Sequence, residues 1–301
     1  MVDVVGVKET EHTSISTKHP LTKPSKLITH LREKTMMNKQ VILRDMLVRS
    51  PKWAKSMILA GFRGSHAHGT YIPPEDPHGT DDIDVFGVTV HPLRYYLGVD
   101  GFVRKNDTFN TNREHLDIET HELRKFVHLL EKGNPNVHSY LWMAPEDYFL
   151  IDPCGQILVT NRSKFLSQRM LDAFGGYAYS QLSRMQKMEK RGYMGEKREK
   201  IVEKYGYDIK NAAHCIRLLI GACSLVREKR LIVKLEGDDL ELVLSVKRGE
   251  RKLEWVQRKA QELFDEFDNL KDSCDLPKSV DREFSNDITE RIITLYWENH
   301  K

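Results

Sequence analysis

Apolar residues are spaced in two different ways along this 301-residue chain. Up to about residue 150, short apolar or alternating runs predict β-strands, because neighbouring side chains of a strand face opposite sides of its sheet. These strands are expected at 57–62, 82–90 and 115–120. Helical spacing is found before the first strand, around 26–60, and after the third, at 122–131.

From about residue 155 onward, apolar residues recur every three or four positions, which predicts a mainly helical region. The main helices are expected at 157–170, 177–191, 209–230 and 252–270, with short strand-like interruptions at 232–235 and 242–244. This change of pattern predicts three parts: a polar N-terminal arm over 1–25, a core of mixed strands and helices over 26–155, and a mainly helical C-terminal domain over 156–301.

Composition places the chain among globular proteins. Hydrophobic residues make up 40% and charged residues 30% of a chain that is long enough to bury about three quarters of its surface. No uninterrupted apolar run approaches the ~18 residues of a membrane span, so we expect no membrane partner. The four cysteines form no CxxC pair and the N-terminus has no signal-peptide pattern, so a cytoplasmic protein with reduced thiols is expected.

The distribution of charge is more informative than its total. The formal net charge of +3 is too small to indicate nucleic-acid binding. Between residues 210 and 234, however, six Lys or Arg side chains stand against one Glu. This local excess is compatible with a solvated helix face or with a surface that binds an anion.

Two aspartates on the second predicted strand are the first candidates for chemistry. Asp82 and Asp84 are two positions apart, so their carboxylates extend from the same face of the strand. Neighbouring carboxylates repel each other, and a hard divalent cation relieves that repulsion. Asp117, on the third predicted strand, supplies a third acid. Three acids on adjacent strands predict a site for Mg²⁺, with Mn²⁺ as the alternative metal.

A Gly-Ser pair follows the first predicted strand. Gly64 permits a tight turn in which backbone amides approach phosphate oxygens, and Ser65 adds a hydroxyl donor. Either feature alone is uninformative. Their combination is more specific. A strand is followed by Gly-Ser, an acidic loop, an Asp-x-Asp strand and a further acidic strand, and this order favours metal-dependent transfer of a nucleotide.

This combination resembles the polymerase-β-type nucleotidyltransferase superfamily and, within it, the nucleotidyltransferases associated with bacterial and phage RNA repair. The resemblance covers about residues 57 to 255. Its segments are GSHAHGT at 64–70, DDIDVFGV at 81–88, ELRKF at 122–126, GNPNV at 133–137, KNAAHCIRLL at 210–219 and LSVKRG at 244–249. It implies an α+β fold, in which a polymerase-β-like core with a mixed sheet and flanking helices carries a C-terminal helical domain.

The resemblance also implies roles for individual residues. The catalytic and metal-binding residues would be Asp82, Asp84 and Asp117, and the phosphate-binding pair would be Gly64 and Ser65. Sixteen residues separate Ser65 from Asp82, which is more than is usual and leaves open whether Asp81 takes the first metal position. The same-face geometry of Asp82 and Asp84 favours Asp82.

Three polar residues share one stripe of the predicted helix 209–230. Lys210, His214 and Arg217 are spaced at i, i+4 and i+7. From spacing alone they form a solvent face or line a cleft. The resemblance implies a cleft, in which Lys210 and Arg217 bind a triphosphate and His214 shuttles a proton or contacts phosphate.

The expected reaction is transfer of a nucleoside monophosphate from an NTP such as ATP to a hydroxyl acceptor, with release of pyrophosphate. The resemblance implies an RNA 3′ end, for example that of a tRNA, as acceptor, while a protein side chain or a small molecule stays open. A non-catalytic module that binds NTP or RNA on the same fold is the competing interpretation. The sequence does not indicate the preferred base or the oligomeric state.

Two further patterns give rival interpretations. His66 and His68 have the HxH spacing of some zinc hydrolases, although Gly69 and Thr70 stand where such a site needs Asp and His. The aromatic and basic residues of 177–191 have two interpretations. They form a surface that binds RNA, or the aromatic residues pack in the core while the basic residues face solvent.

Overall fold

The computed structural model describes residues 39–79, 82–99, 107–113, 116–186 and 196–300. Contacts group Val41–Lys301 into one compact unit. The predicted arm over 1–25 lies outside the described residues, as do Asp81, His115 and the basic residues of 187–191.

A five-stranded mixed sheet carries the strands of the described residues. Its strands are β1 (Met57–Phe62), β2 (Ile83–Thr89), β3 (Thr108–Arg113), β4 (Leu116–Glu122) and β5 (Tyr148–Ile151). They lie in the order β3-β4-β2-β1-β5, in which β2 and β4 run parallel and each other pair runs antiparallel. Strands β1, β2 and β4 match the three predicted strands. The other two, β3 and β5, lie at the edges of the sheet and were not predicted.

Strand β1 pairs with β2 on one side and with β5 on the other, and all six of its residues are buried. A strand that is covered on both faces needs apolar side chains at every position, which explains its unbroken apolar sequence. The chain leaves β1 at Arg63 and turns directly into the Gly-Ser segment. The buried strand thus fixes where that segment begins.

Helices make up most of the chain outside the sheet. Helix α1 is described over residues 39–49, and the others are α2 (Gly64–Ala67), α3 (Leu93–Leu97), α4 (Leu123–Glu131), α5 (Pro135–Leu141), α6 (Pro153–Thr160), α7 (Gln168–Gln186), α8 (Glu196–Tyr205), α9 (Ile209–Glu228), α10 (Gly237–Lys247), α11 (Leu253–Asp272) and α12 (Arg282–Asn299). Short 3₁₀ turns occur at Lys52–Lys55, Pro145–Asp147 and Arg162–Phe165.

Three predictions of secondary structure differ from the structure. The segment 242–244 belongs to helix α10 rather than to a strand, because a short apolar run does not distinguish a strand from the buried face of a helix. The segment 232–235 is a loop. The predicted helix 157–170 is divided between α6 and α7, because α6 ends at Asn161, whose side-chain amide donates to the Ile157 carbonyl.

Helix α9 is the main core helix of the C-terminal half and packs against α7, α10 and α11. It begins at Asp208, whose carboxylate accepts hydrogen bonds from the backbone amides of Lys210 and Asn211. By length and composition this helix could cross a membrane, but 78% of its apolar window is buried inside the protein. Its two cysteines, Cys215 and Cys223, are buried and unpaired with each other, as expected for packing residues.

Replacement of Gly155 in α6 tests the packing of this helix on β1. A methyl group added at Gly155 would collide with the backbone carbonyl of Ile58, which has no freedom to move within the sheet. We expect Gly155→Ala to lower the free energy of unfolding by about 2 kcal/mol, as measured by denaturant titration.

Gly176, in the middle of α7, is the matched control because an added methyl there meets no atom within 4 Å. Gly176→Ala is expected to raise the free energy of unfolding by about 0.5–1 kcal/mol through helix propensity alone. Similar effects of the two substitutions would contradict the packing of α6 on β1.

Candidate active site

The parallel pairing of β2 with β4 brings two of the predicted acids together. In this register Asp84 lies directly opposite Asp117, so the two side chains extend from the same face of adjacent strands. Asp82 lies one residue before β2. The side chains of Asp84 and Asp117 are 28% and 32% exposed, so solvent screens their charges only in part.

Arg63, at the end of β1, places its guanidinium among these carboxylates. Its Nη2 lies 2.9 Å from Asp117 Oδ2 and 4.0 Å from Asp84 Oδ1, while its Nη1 lies 3.1 Å from Glu119 Oε2. Its Nε donates to the Val85 carbonyl oxygen at 3.2 Å. Sequence analysis missed this residue, although it stands immediately before the Gly-Ser pair.

Arg63 and Glu119 hold each other in a network of charged and polar groups. Burial lowers the pKa of Arg63, but the surrounding Tyr140 and carboxylates raise the pKa overall. Burial raises the pKa of Glu119, but His121 and Arg63 lower it overall. His121 Nε2 lies 2.8 Å from Glu119 Oε1, and the Tyr140 hydroxyl donates to Glu119 Oε2 at 3.2 Å. Glu119 is therefore a negatively charged anchor for Arg63.

Repulsion of the Asp84 carboxylate by its acidic neighbours is only partly offset by nearby cations. Burial raises the pKa of Asp84, Arg63 lowers it, and repulsion by Asp117 and Asp82 raises it, so the pKa lies above the usual value. Gly64 adopts φ +59° and approaches Asp84 so closely that an added Cβ would collide with the carboxylate. Glycine at position 64 thus keeps the space in front of Asp84 open.

The donor set of these acids fits a hard divalent cation. Asp82, Asp84 and Asp117 offer only carboxylate oxygens, which are the ligands of Mg²⁺ and Mn²⁺, and the guanidinium of Arg63 already occupies a cation position between two of them. Among the described residues, no group of three or more His, Cys, Asp or Glu side chains is close enough to enclose a metal ion. Mg²⁺ characteristically completes such a partial site with substrate phosphates.

The two histidines of the HxH pattern have separate surroundings. The His66 ring is stacked between Phe62 and Tyr71, with centroid distances of 4.9 and 4.0 Å. His68 Nδ1 lies 3.0 Å from the Val233 carbonyl oxygen, and burial lowers its pKa. Nothing in this arrangement favours a zinc site shared by the two rings.

A cleft of about 390 Å³ lies between the acids and helix α9. Gly64, Ser65, Asp82 and Asp84 line one side, and Lys210, His214, Arg217 and Lys247 line another. Asn136, Ser139, Tyr140 and Met143 complete the wall. Asp117 is not part of this lining and contacts Arg63 instead. The structure therefore brings seven of the eight predicted site residues to one cleft and places the eighth beside it.

The basic wall of this cleft forms no ion pair with a carboxylate of the described residues. Among described residues, no carboxylate forms an ion pair with Arg217, whose Nη1 lies 3.4 Å from His68 Nδ1 and whose pKa is lowered to about 10 by burial. Lys247 donates to the Thr70 carbonyl oxygen at 2.6 Å, and its pKa is lowered to about 8 by burial and by Lys210. Asp84 offsets the lowered pKa of Lys247 only in part, so these buried cations lack sufficient counter-charge, which predicts an anionic ligand.

The remaining cations of the basic stretch are mostly neutralised at the surface. Arg227 pairs with Glu266, and Lys229 pairs with Asp275. The Lys234 ammonium lies 2.8 Å from Glu146. Of the six cations noted in the sequence, three therefore form ion pairs and two, Lys210 and Arg217, line the cleft.

His214 is a neutral member of the basic wall. Burial, together with Arg217 and Arg184, lowers its pKa to about 3. Its buried Nε2 has no hydrogen-bond partner in the described structure, and its ring packs edge-on against Tyr177. At neutral pH His214 is suited to hydrogen-bond a ligand rather than to add a positive charge.

Lys247 is the second site residue that sequence analysis did not identify. It lies in the segment 244–249, which carried part of the family resemblance, but no role was inferred for it there. Its position at the end of α10 depends on the helix that was predicted as a strand. The correct helix brings Lys247 to the cleft that Asp84 also lines.

One solved structure that resembles this chain is that of a nucleotidyltransferase-like protein from Exiguobacterium sibiricum 255-15. The two share 11% sequence identity over 79% of this chain and 75% of the other, with a TM-score of 0.25, which is too low to support an argument. Among functionally curated proteins, none matches this chain significantly.

The model of RlaP, the RNA repair pathway DNA polymerase beta family, matches residues 36–290. This match confirms the family resemblance and the fold class, a polymerase-β-like core with a mixed sheet followed by a mainly helical C-terminal region. Because the match extends over most of the chain, from α1 to α12, the protein belongs to the RNA repair pathway DNA polymerase beta family.

Proposed function

We propose that this protein is a metal-dependent nucleotidyltransferase that moves a nucleoside monophosphate from an NTP to the 3′ hydroxyl of an RNA. One observation carries this proposal. The cleft is lined by half-buried carboxylates and by cations that form no ion pair among the described residues, so it offers complementary charge to a metal ion and to a triphosphate. The family name supports RNA as the acceptor.

The basic wall is suited to hold the triphosphate. The Arg217 guanidinium can donate two parallel hydrogen bonds to phosphate oxygens, which fixes orientation as well as charge. Lys210 and Lys247 add positive charge at the same wall. On the opposite side, Ser65 offers a hydroxyl, and Gly64 leaves its backbone accessible because it has no side chain.

Asp82 and Asp84, with Asp117, would hold Mg²⁺ or Mn²⁺. When bound, such an ion neutralises charge on the leaving pyrophosphate and makes an acceptor hydroxyl easier to deprotonate. In the proposed step the acceptor oxygen forms a bond to the α-phosphorus, the bond from that phosphorus to the bridging oxygen breaks, and pyrophosphate leaves. Asp117 accepts the proton of the acceptor hydroxyl.

The direct test is incubation with each α-labelled NTP, Mg²⁺ and bulk tRNA. Label in RNA supports the proposal and identifies the preferred base. Label in the protein itself would indicate a protein acceptor, and label in neither would favour a module that binds nucleotide without transferring it.

Asp84→Asn tests the assignment of the acid site. We expect transfer to fall by at least about 100-fold, because one ligand of the metal is weakened where charge develops. The raised pKa of Asp84 means that its charged form destabilises the fold at neutral pH, so the variant should unfold at the same or a higher temperature.

Asp287→Asn, at an exposed position of α12, is the control and should transfer nucleotide at the wild-type rate. Full activity of the Asp84→Asn protein would rule out Asp84 as a metal ligand.

The lowered pKa of Lys247 predicts that nucleotide binding depends on pH. Its pKa of about 8 means that it is cationic at pH 7 and loses its charge as the pH rises through 8. The dissociation constant of ATP, measured calorimetrically in EDTA, should therefore increase by about tenfold between pH 7 and pH 9.5.

Lys247→Arg should greatly reduce this pH dependence, because a guanidinium has a higher intrinsic pKa than an ammonium. Lys259→Arg, in α11, should leave it unchanged because Lys259 pairs with Glu262 and does not line the cleft. If the wild-type dissociation constant does not vary with pH, Lys247 does not bind the triphosphate.

A further inference from the structure

Arg63 occupies the position where a cation is expected. One of its nitrogens, Nη2, contacts Asp117 and lies within 4.0 Å of Asp84. We propose that Arg63 is a built-in counter-ion that competes with the divalent metal for these carboxylates, so that the metal binds tightly only when nucleotide phosphates add further ligands. This inference rests on the proposed function, which assigns the metal to the same acids.

The competition follows from charge and from shared atoms. One oxygen of Asp117, Oδ2, already accepts the guanidinium at 2.9 Å. A guanidinium and a divalent ion on the same carboxylates also repel each other strongly, because the half-buried site screens charge poorly. A metal held by Asp117 would therefore compete with Arg63 for this carboxylate.

The Asp117 side chain can turn away from Arg63 while the guanidinium stays in place. Arg63 Nη1 is paired with Glu119 at 3.1 Å and its Nε donates to the Val85 carbonyl oxygen, and because the guanidinium is planar these two contacts also fix Nη2. Glu119 is itself fixed by Tyr140 and by a ring nitrogen of His121. The guanidinium thus has a resting position that does not depend on the acids assigned to the metal.

A different role for Arg63 would change the metal affinity in the opposite direction when Arg63 is replaced. If Arg63 only orients Asp117 for the metal, loss of Arg63 would weaken metal binding. If Arg63 competes with the metal, loss of Arg63 would strengthen metal binding in the absence of nucleotide. The sign of the change separates a competing counter-ion from a purely structural positioning residue.

The test is a titration of the full-length protein with Mn²⁺ in the absence of nucleotide, with free Mn²⁺ followed by electron paramagnetic resonance. Arg63→Met should bind Mn²⁺ at least about tenfold more tightly than the wild type. The control Arg162→Met should bind like the wild type, because Arg162 contacts the Leu141 carbonyl and the Trp142 ring instead of these acids. Unchanged or weaker binding by Arg63→Met would overturn the inference.

Arg63→Gln keeps the test decisive if the methionine variant does not fold, as judged by circular dichroism. Glutamine retains a side-chain hydrogen-bond donor but removes the positive charge, so its Mn²⁺ affinity should lie above that of the wild type. An affinity at or below wild type would overturn the inference.

A second titration with a non-hydrolysable NTP analogue separates this inference from the proposed function. Tight binding of Mn²⁺ by the wild type with the analogue, and no gain in the Arg63 variants without it, would overturn the counter-ion role alone. Absence of Mn²⁺ binding by all proteins in both conditions would overturn the proposed metal site as well.

Discussion

Repulsion between Asp84 and Asp117 is the constraint around which the site is built. The parallel register of β2 and β4 forces these carboxylates onto the same face of neighbouring strands, and their partial burial prevents water from screening them fully. Arg63 offsets part of this repulsion in the structure, while Gly64 keeps one approach to Asp84 open. A fold selected only for stability would not be expected to collect like charges in this way, so the strain itself points to function.

On the basic wall of the cleft, Arg217 presents the complementary situation, in which positive charge is buried without an ion-pair partner among the described residues. Asp208 starts α9 by capping its first amides, and the burial of the helix then fixes the direction in which Arg217 extends. Burial lowers the pKa of Arg217, which shows that its charge is poorly solvated, yet no acid of the described residues pairs with it. A triphosphate with a metal ion would relieve both walls, because it presents negative charge to the helix and positive charge to the strands.

The sequence identified what depends on local spacing and missed what depends on distant contacts. Alternation placed Asp82 and Asp84 on one face, and helical spacing aligned Lys210 with Arg217. Sequence analysis expected the strand of Asp117 beside that of Asp84, but it predicted neither the intervening β3 nor the parallel direction of this pairing, because chain order does not determine strand order. Arg63 was missed for the same reason: Asp117 and Glu119 are more than fifty positions away in the chain, and only the sheet brings them together.

Lys247 explains why the two walls do not neutralise each other. Outside the cleft, opposite charges form direct ion pairs, as Lys234 does with Glu146 and Asp147. Such ion pairs leave no charge to bind a ligand. Lys247 shares the cleft with Asp84, but its ammonium is bonded to the backbone carbonyl of Thr70. Because a carbonyl satisfies the hydrogen bond without cancelling the charge, the cation stays available and the space between the walls stays open.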